Sequence, residues 1–222
     1  QNQAVNVSAV IQNIGQADTN NVKIEFYDGN PSDGGKLFAN KTVNVPVGGS
    51  VLVSAQYTNI FSPAPMLFIQ GNSNIGSTLN ISIADRTFRA HDIYVIISSF
   101  SDFIETNYSN NVAHKTLNFQ NISYILGMSL GTSPGIPLSD GRVIPLNFDS
   151  AFLLSFFYPG LIGLQNSQGI LNSNGQATAT WTIPTFAPQG LVVYIAFVTT
   201  NPLLVVPQSI MSISYVLPLI IQ

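Results

Sequence analysis

Cysteine is absent from this 222-residue chain. That excludes disulfides, thiolate metal sites and thiol nucleophiles, and leaves any core to packing alone. Charge is scarce as well. Asp, Glu, Lys and Arg make up 8% of the residues, against about 25% in ordinary globular domains. The seven Lys and Arg are scattered singly, so no basic stripe exists to neutralise phosphates; nucleic acid is excluded as a partner, and no basic cluster points to anionic lipid. The two histidines, His91 and His114, are too few and too far apart in sequence for a histidine-based metal cluster. We read both as surface or strand-edge residues. No run of 18 apolar residues occurs, so no spanning helix is expected. The apolar tail from Pro202 to Ile221 is broken by Pro207, Gln208, Ser209, Ser212, Ser214 and Pro218, and reads as strands. No window of ten residues carries a helical apolar face behind a start cap. No leader segment precedes Gln1, which reads as a processed N-terminus and predicts a secreted, cell-surface location.

What is present is period-two alternation. Val5, Val7, Ala9 and Ile11 alternate with Asn6, Ser8, Val10 and Gln12. Val22, Ile24 and Phe26 follow the same rule, as do Val51, Val53, Ala55 and Tyr57, and then Ile93, Val95 and Ile97. Each run is bounded by Gly, Asn, Asp or Pro, which reads as short strands joined by turns. Asp28-Gly29-Asn30-Pro31 and Gly48-Gly49 are turn stretches. Asn174-Gly175 predicts a tight hairpin between Ile170-Leu171 and the run 177–183, since both residues tolerate positive φ. The fold class is therefore all-β, and we expect two tandem sandwich domains. After Lys115 the charged residues are only Asp140, Arg142 and Asp149. This shift in character places a boundary at Asn118–Ser123, giving domains 1–118 and 122–222. The segment 58–89 is longer than a hairpin loop requires, and reads as a hairpin inserted on the first sandwich.

Five pieces of the first domain occur in a familiar order. They are Val5–Ile11 with Asn13-Ile14-Gly15, Val22–Phe26 with Tyr27-Asp28-Gly29, Val47-Gly48-Gly49-Ser50 with Val51–Tyr57, His91–Val95, and Ile104-Glu105-Thr106-Asn107-Tyr108-Ser109-Asn110-Asn111. In these residues 5–117 resembles the CARDB family, the adhesion-related domains of bacterial and archaeal surface proteins. The resemblance implies a seven-stranded, immunoglobulin-like sandwich used for display or adhesion. It implies that Asn13, Gly15, Asp28, Gly29, Glu105, Asn107, Asn110 and Asn111 are turn-forming residues. Members of that family carry one more strand ahead of the stretch equivalent to Val5–Ile11. Residues 122–222, through Gly135–Asp149, Gly169–Ala177, Ile183-Pro184 and Ile213-Ser214, resemble a β domain at the C-termini of bacterial surface and secreted repeat proteins. That resemblance implies a second small sandwich.

No catalytic constellation and no cofactor site can be named. Asp140 and Asp149 are the only acids of the second domain, with no base or oxyanion donor beside them. Asp28, Asp33, Asp102 and Glu105 supply too few oxygens in sequence for an EF-hand-like calcium loop, and turn chemistry accounts for Asp28–Asp33. Asn6, Asn40, Asn80, Asn107 and Asn121 each begin an Asn-X-Ser/Thr triplet, a pattern that an Asn- and Ser-rich chain also forms by chance. Tyr27, Tyr57, Phe61, Tyr108, Phe157, Tyr158 and Trp181 are candidate stacking groups for a glycan, although aromatics in sandwiches more often fill the core.

The missing first strand carries the functional expectation. A sandwich short of one strand leaves unpaired amides and bare hydrocarbon, and both invite a strand from elsewhere. Val5, Val7, Ala9 and Ile11 at one end, and Ile213, Tyr215, Leu217, Leu219 and Ile221 on one face at the other, are the candidate donor or interface positions, the latter run either completing the second domain's own sheet or inserting into a neighbour. The expected partner is the chain itself, in a homopolymer forming a surface filament or sheath. The alternative is a monomeric adhesin or carbohydrate-binding module with a cell-surface or glycan ligand.

Overall fold

The computed structural model of the chain describes residues 4–58, 64–99, 107–118, 121–201 and 209–222. Among these the fold is almost entirely antiparallel β. The first four strands are β1 (Ala4–Gln12), β2 (Thr19–Asp28), β3 (Lys36–Val45) and β4 (Ser50–Thr58). β5 (Met66–Gln70) and β6 (Thr78–Ala84) follow, then β7 (His91–Ser99) and β8 (Val112–Leu117). Next come β9 (Ser123–Ser129), the two-residue strands β10 (Ile136–Pro137) and β11 (Val143–Ile144), and one helix, α1 (Ser150–Phe157). The remainder are β12 (Leu164–Gln165), β13 (Gln168–Ile170), β14 (Gln176–Thr182), β15 (Val192–Thr200), β16 (Ile210–Ile213) and β17 (Leu217–Ile220). The chain divides into two compact units, Gln1–Phe61 with Ala90–Asn118, and Ser62–Arg89 with Phe119–Gln222.

In the first unit β1 pairs with β4, and a second sheet runs β3-β2-β7-β8. The alternating apolar residues do what their period dictates. Ile24 and Phe26 of β2 are fully buried, and Val22, Val45, Val53, Ala55, Val95 and Ile11 close around them from both sheets. Removing such side chains from water stabilises the unit by about 1.5–3 kcal/mol for each large one. The turn after β2 uses its residues as expected. Gly29 takes φ 88°, and Asn30 Oδ1 accepts the Ser32 N–H at the start of a single 3-10 turn, Pro31–Asp33.

The second unit contains the sheet β12-β14-β6-β5 and a sheet in which β13, β9 and β15 are neighbours, with β16 and β17 both on the far side of β15. Its core joins Leu79, Ile81 and Ile83 of β6 to Leu126 and Met128 of β9, Trp181 of β14, and Ile195 and Phe197 of β15. Two expectations are corrected here. The 58–89 segment does not decorate the first domain. β6 pairs along its length with β14, Thr78 opposite Thr182 through Ala84 opposite Gln176. The reason is its inner face: Leu79, Ile81 and Ile83 are fully buried in the second unit's core. Nor is Asn174-Gly175 the tip of a hairpin. β13 pairs with β9 whereas β14 pairs with β12 and β6, so the turn carries the chain from one sheet to the other. Gly175, at φ 70°, sits where a Cβ would lie 2.2 Å from the Asp85 carbonyl oxygen.

The helix α1 was not foreseen. Asp149 caps it, its Oδ1 accepting the Phe152 N–H at 3.0 Å while its Oδ2 accepts the Leu130 N–H at 2.8 Å. Ser155 Oγ accepts the Met128 N–H at 2.9 Å. Backbone donors beyond the short β9–β13 ladder are thus satisfied by the helix and its cap, which is one of the ways proteins cover a strand edge. Gly127 makes this close approach possible, since a Cβ there would stand 3.3 Å from the Phe152 ring. Among the described residues no helix is long and apolar enough to cross a membrane.

Candidate functional site

A groove of about 470 Å³ opens in the first unit between one edge of β1 and one edge of β8. One wall is β1, whose other edge is taken by β4 in continuous register from Ala4–Thr58 to Gln12–Ser50. Val5, Val7 and Ala9 line this wall. The floor is Ile93 and Val95 of β7. The opposite wall is β8, which among the described strands pairs only with β7. Directly opposed residues of an antiparallel pair share a face. Ala113, Lys115 and Leu117 stand opposite Val95, Ile93 and His91, which are buried. These three β8 residues therefore face the inside, along the groove. The outer face alternates with them: Thr116 Oγ1 donates to Asp92 Oδ1 at 2.6 Å, and His114 stacks on Tyr94 with ring centroids 5.0 Å apart. The result is an apolar slot flanked by two strand edges that no other described strand pairs.

The expected interface residues fall in different places. Val5, Val7 and Ala9 line the slot, so β1 is a wall that receives a strand; Ile11 is buried in the unit's core. The C-terminal run does not lie on one face as a free strand. Ile213 pairs with Val198, Leu217 with Ile195 and Leu219 with Val193, all on β15. Ile221 is buried, its N–H donating to the Leu191 carbonyl at 2.9 Å. Tyr215 falls in the break between β16 and β17 and is 77% exposed. The break arises at Ser214, whose Oγ accepts the Phe197 N–H at 2.8 Å in place of a backbone carbonyl. This strand completes the second unit's own sheet.

The turn residues have definite work. Asn13 Nδ2 donates to the Ala17 and Val45 carbonyls at 2.7 and 3.0 Å, and its Oδ1 accepts the Gly15 N–H at 2.9 Å. Asn107 Oδ1 accepts from both the N–H and the hydroxyl of Ser109. Asn110 ends the 3-10 turn that begins at Tyr108, and the carbonyl of the buried Asn111 accepts the Ile97 N–H at 2.9 Å. Glu105 lies outside the described residues, as do Asp102 and Phe61. The five triplet asparagines, Asn6, Asn40, Asn80, Asn107 and Asn121, are all exposed.

Two buried polar clusters were missed. His91 is not at the surface. Its Nδ1 lies 2.9 Å from Asp28 Oδ1, and the Tyr57 hydroxyl donates to Asp28 Oδ2 at 2.9 Å. All three side chains are nearly closed to solvent, and they link β2, β4 and β7. Asp28 therefore serves a pairing in addition to its turn. In the second unit Asp85 is fully buried, its carboxylate accepting the Thr87 N–H and the hydroxyls of Thr199 and Ser212. The signal for either cluster was only a polar residue at an inward position of a strand. Asp33 accepts from Asn30 Nδ2, and among the described residues no three His, Asp or Glu side chains group closely enough to hold a metal ion. Asp140 is held below its ordinary carboxylate value by the Arg142 guanidinium beside it. Burial raises the Tyr124 hydroxyl, which donates to the Asn166 carbonyl at 2.8 Å.

Of the stacking candidates, Tyr57 is core, and Trp181 is buried with Nε1 donating to the Ile162 carbonyl at 2.9 Å. Tyr27 donates to Glu25. Phe157 and Tyr158, at the end of α1, are 61% and 62% exposed, and Tyr108 is exposed too.

No family model matches the chain, and no curated protein matches it. Among solved structures, the chain is similar to GmR58A from Geobacter metallireducens, a Northeast Structural Genomics Consortium target solved in solution. The identity is 24%, covering 53% of this chain and 82% of that one, with a TM-score of 0.35.

Proposed function

We propose that this chain is a non-enzymatic, extracellular structural protein, a subunit of a surface filament or sheath in which the β1–β8 groove of one copy takes an extended strand from the next. On this reading each unit is a β-sandwich, and the first is an immunoglobulin-like, CARDB-type module. The observation that carries the proposal is the groove: an apolar floor, with a strand edge on each side that no other described strand pairs. Such edges are templates for strand addition, where backbone bonds supply affinity and alternate side chains supply fit. A head-to-tail contact whose rotation does not close into a ring propagates as a fibre. The scarcity of charge, 8% of residues, supports close packing because little ionic desolvation opposes it.

The test is negative-stain electron microscopy of the full chain beside the variant Ala113→Arg. Ala113 is exposed and lines the slot, so the substitution fills the groove without disturbing the core. We expect fibres from the parent protein and dispersed particles, still folded by circular dichroism, from the variant. Dispersed parent molecules at high concentration would sink the reading.

A second reading, a glycan-binding adhesin, is favoured by the exposed rings of Phe157 and Tyr158, since sugar faces stack on such aromatics. Binding on a glycan array that is lost in the double alanine variant of these two positions would select it over the filament.

A further inference from the structure

The groove has one feature that a purely apolar slot would lack. Lys115 is central on the inward face of β8, between Ala113 and Leu117, and lines the groove opposite Ile93. Among the described residues, no carboxylate lies within ion-pair distance of its ammonium. The acids nearest in register do not serve it: Asp92 points to the other face, where it accepts from Thr116. An incoming strand that pairs with either edge would screen this ammonium from water, and an ammonium taken out of water calls for a matching charge.

We propose that the groove selects an extended segment bearing a carboxylate at the position facing Lys115, with apolar side chains two residues to either side. This rests on the strand-acceptor reading, and names the chemistry of the strand accepted. The two-residue spacing follows from the strand period: residues flanking the carboxylate by two meet Ala113 and Leu117 on one wall and Val5, Val7 and Ala9 on the other. An inward lysine on an edge strand also discourages indiscriminate pairing. A carboxylate partner lifts that barrier for one class of strand alone.

The test uses the full 222-residue chain and three fluorescein-labelled peptides of alternating valine and threonine, whose central valine is kept, replaced by aspartate, or replaced by lysine. Fluorescence anisotropy at low and high salt gives the affinities. We expect the aspartate peptide to bind about fivefold or more tightly than the lysine peptide at low salt, with the gap narrowing as salt rises. In Lys115→Glu the order should invert, while far-UV circular dichroism stays unchanged because Lys115 is exposed and has no ion-pair partner among the described residues. Equal binding of charged peptides to both proteins would overturn the carboxylate inference and leave strand acceptance standing. Failure of all three peptides, the one that keeps its central valine included, to bind chain held dispersed by dilution would overturn both.

Discussion

Two glycines of the second unit share a backbone conformation but not a neighbourhood, and comparing them isolates the energy of one close approach. Gly141 has φ 87° with nothing within 4 Å of where a Cβ would stand. Gly175 has φ 70°, and its Cβ would lie 2.2 Å from the Asp85 carbonyl oxygen. Gly141→Ala meets only the left-handed penalty of about 1–2 kcal/mol, partly offset by about 0.4–1 kcal/mol from a stiffer unfolded chain. Its net cost should be at most about 1.5 kcal/mol. Gly175→Ala meets the same terms and must also push β14 away from Asp85, an overpacking worth about 1–3 kcal/mol more. The push falls on a critical place. The Asp85 N–H donates to the Gly175 carbonyl at 2.8 Å, and the Asp85 carboxylate gathers Thr87, Thr199 and Ser212. We therefore expect a total of about 3–4 kcal/mol for Gly175→Ala. At roughly 3 °C per kcal/mol for a unit of this size, calorimetry should find its melting lowered by about 10 °C, against about 5 °C or less for Gly141→Ala. Because both positions lie in the same unit, the same transition reports both. Equal shifts would refute the reasoning, since they would mean that the Asp85 contact has no energetic weight.

Three further outcomes are expected. Tyr57→Phe removes the hydroxyl that donates to the buried Asp28 carboxylate, and should lower the first unit's stability in urea unfolding by about 1.5–3 kcal/mol, the range for a hydrogen bond to a charged group. Asn13→Ala removes three hydrogen bonds and leaves the Val45 carbonyl with one fewer donor; a loss of about 2 kcal/mol is expected by the same assay. Tyr124 titrates above its ordinary value in the folded state, so its contribution is complete below about pH 10 and disappears as pH rises through the folded value. Stability measured against pH should therefore fall on the alkaline side, and Tyr124→Phe should flatten that limb.

The strands were legible in the sequence wherever one face is buried and the other wet, because a period of two then survives as alternation. Val22, Ile24 and Phe26, and later Ile93 and Val95, are such cases. The groove's floor was legible for the same reason, since Ile93 and Val95 alternate with Asp92 and Tyr94. The helix α1 was not, because Ser150–Phe157 is eight residues of which six are apolar, too short and too uniformly apolar for a helical face to stand out. The destination of β6 was hidden as well. Leu79, Ile81 and Ile83 announce a buried face, but alternation does not say against which core, and the partner β14 lies about a hundred residues away. The polar clusters escaped for a local reason. Asp28 sits in a turn motif that already explains an aspartate, which masks its pairing with His91. Asp85 caps a short 3-10 turn and looks complete without Thr199 and Ser212.

Because β5 and β6 belong to the second unit while their chain neighbours on both sides belong to the first, the polypeptide crosses between the units after Phe61, again after Arg89 and again after Asn118. Neither half is a contiguous stretch that a single cut could release. A fragment ending at Asn118 would carry β6 without β14, leaving Leu79, Ile81 and Ile83 bare, and would be an aggregating species instead of an isolated module. Under tension the same threading means that one severed peptide bond between the units leaves two others intact, so a nicked molecule still transmits pull from one end to the other.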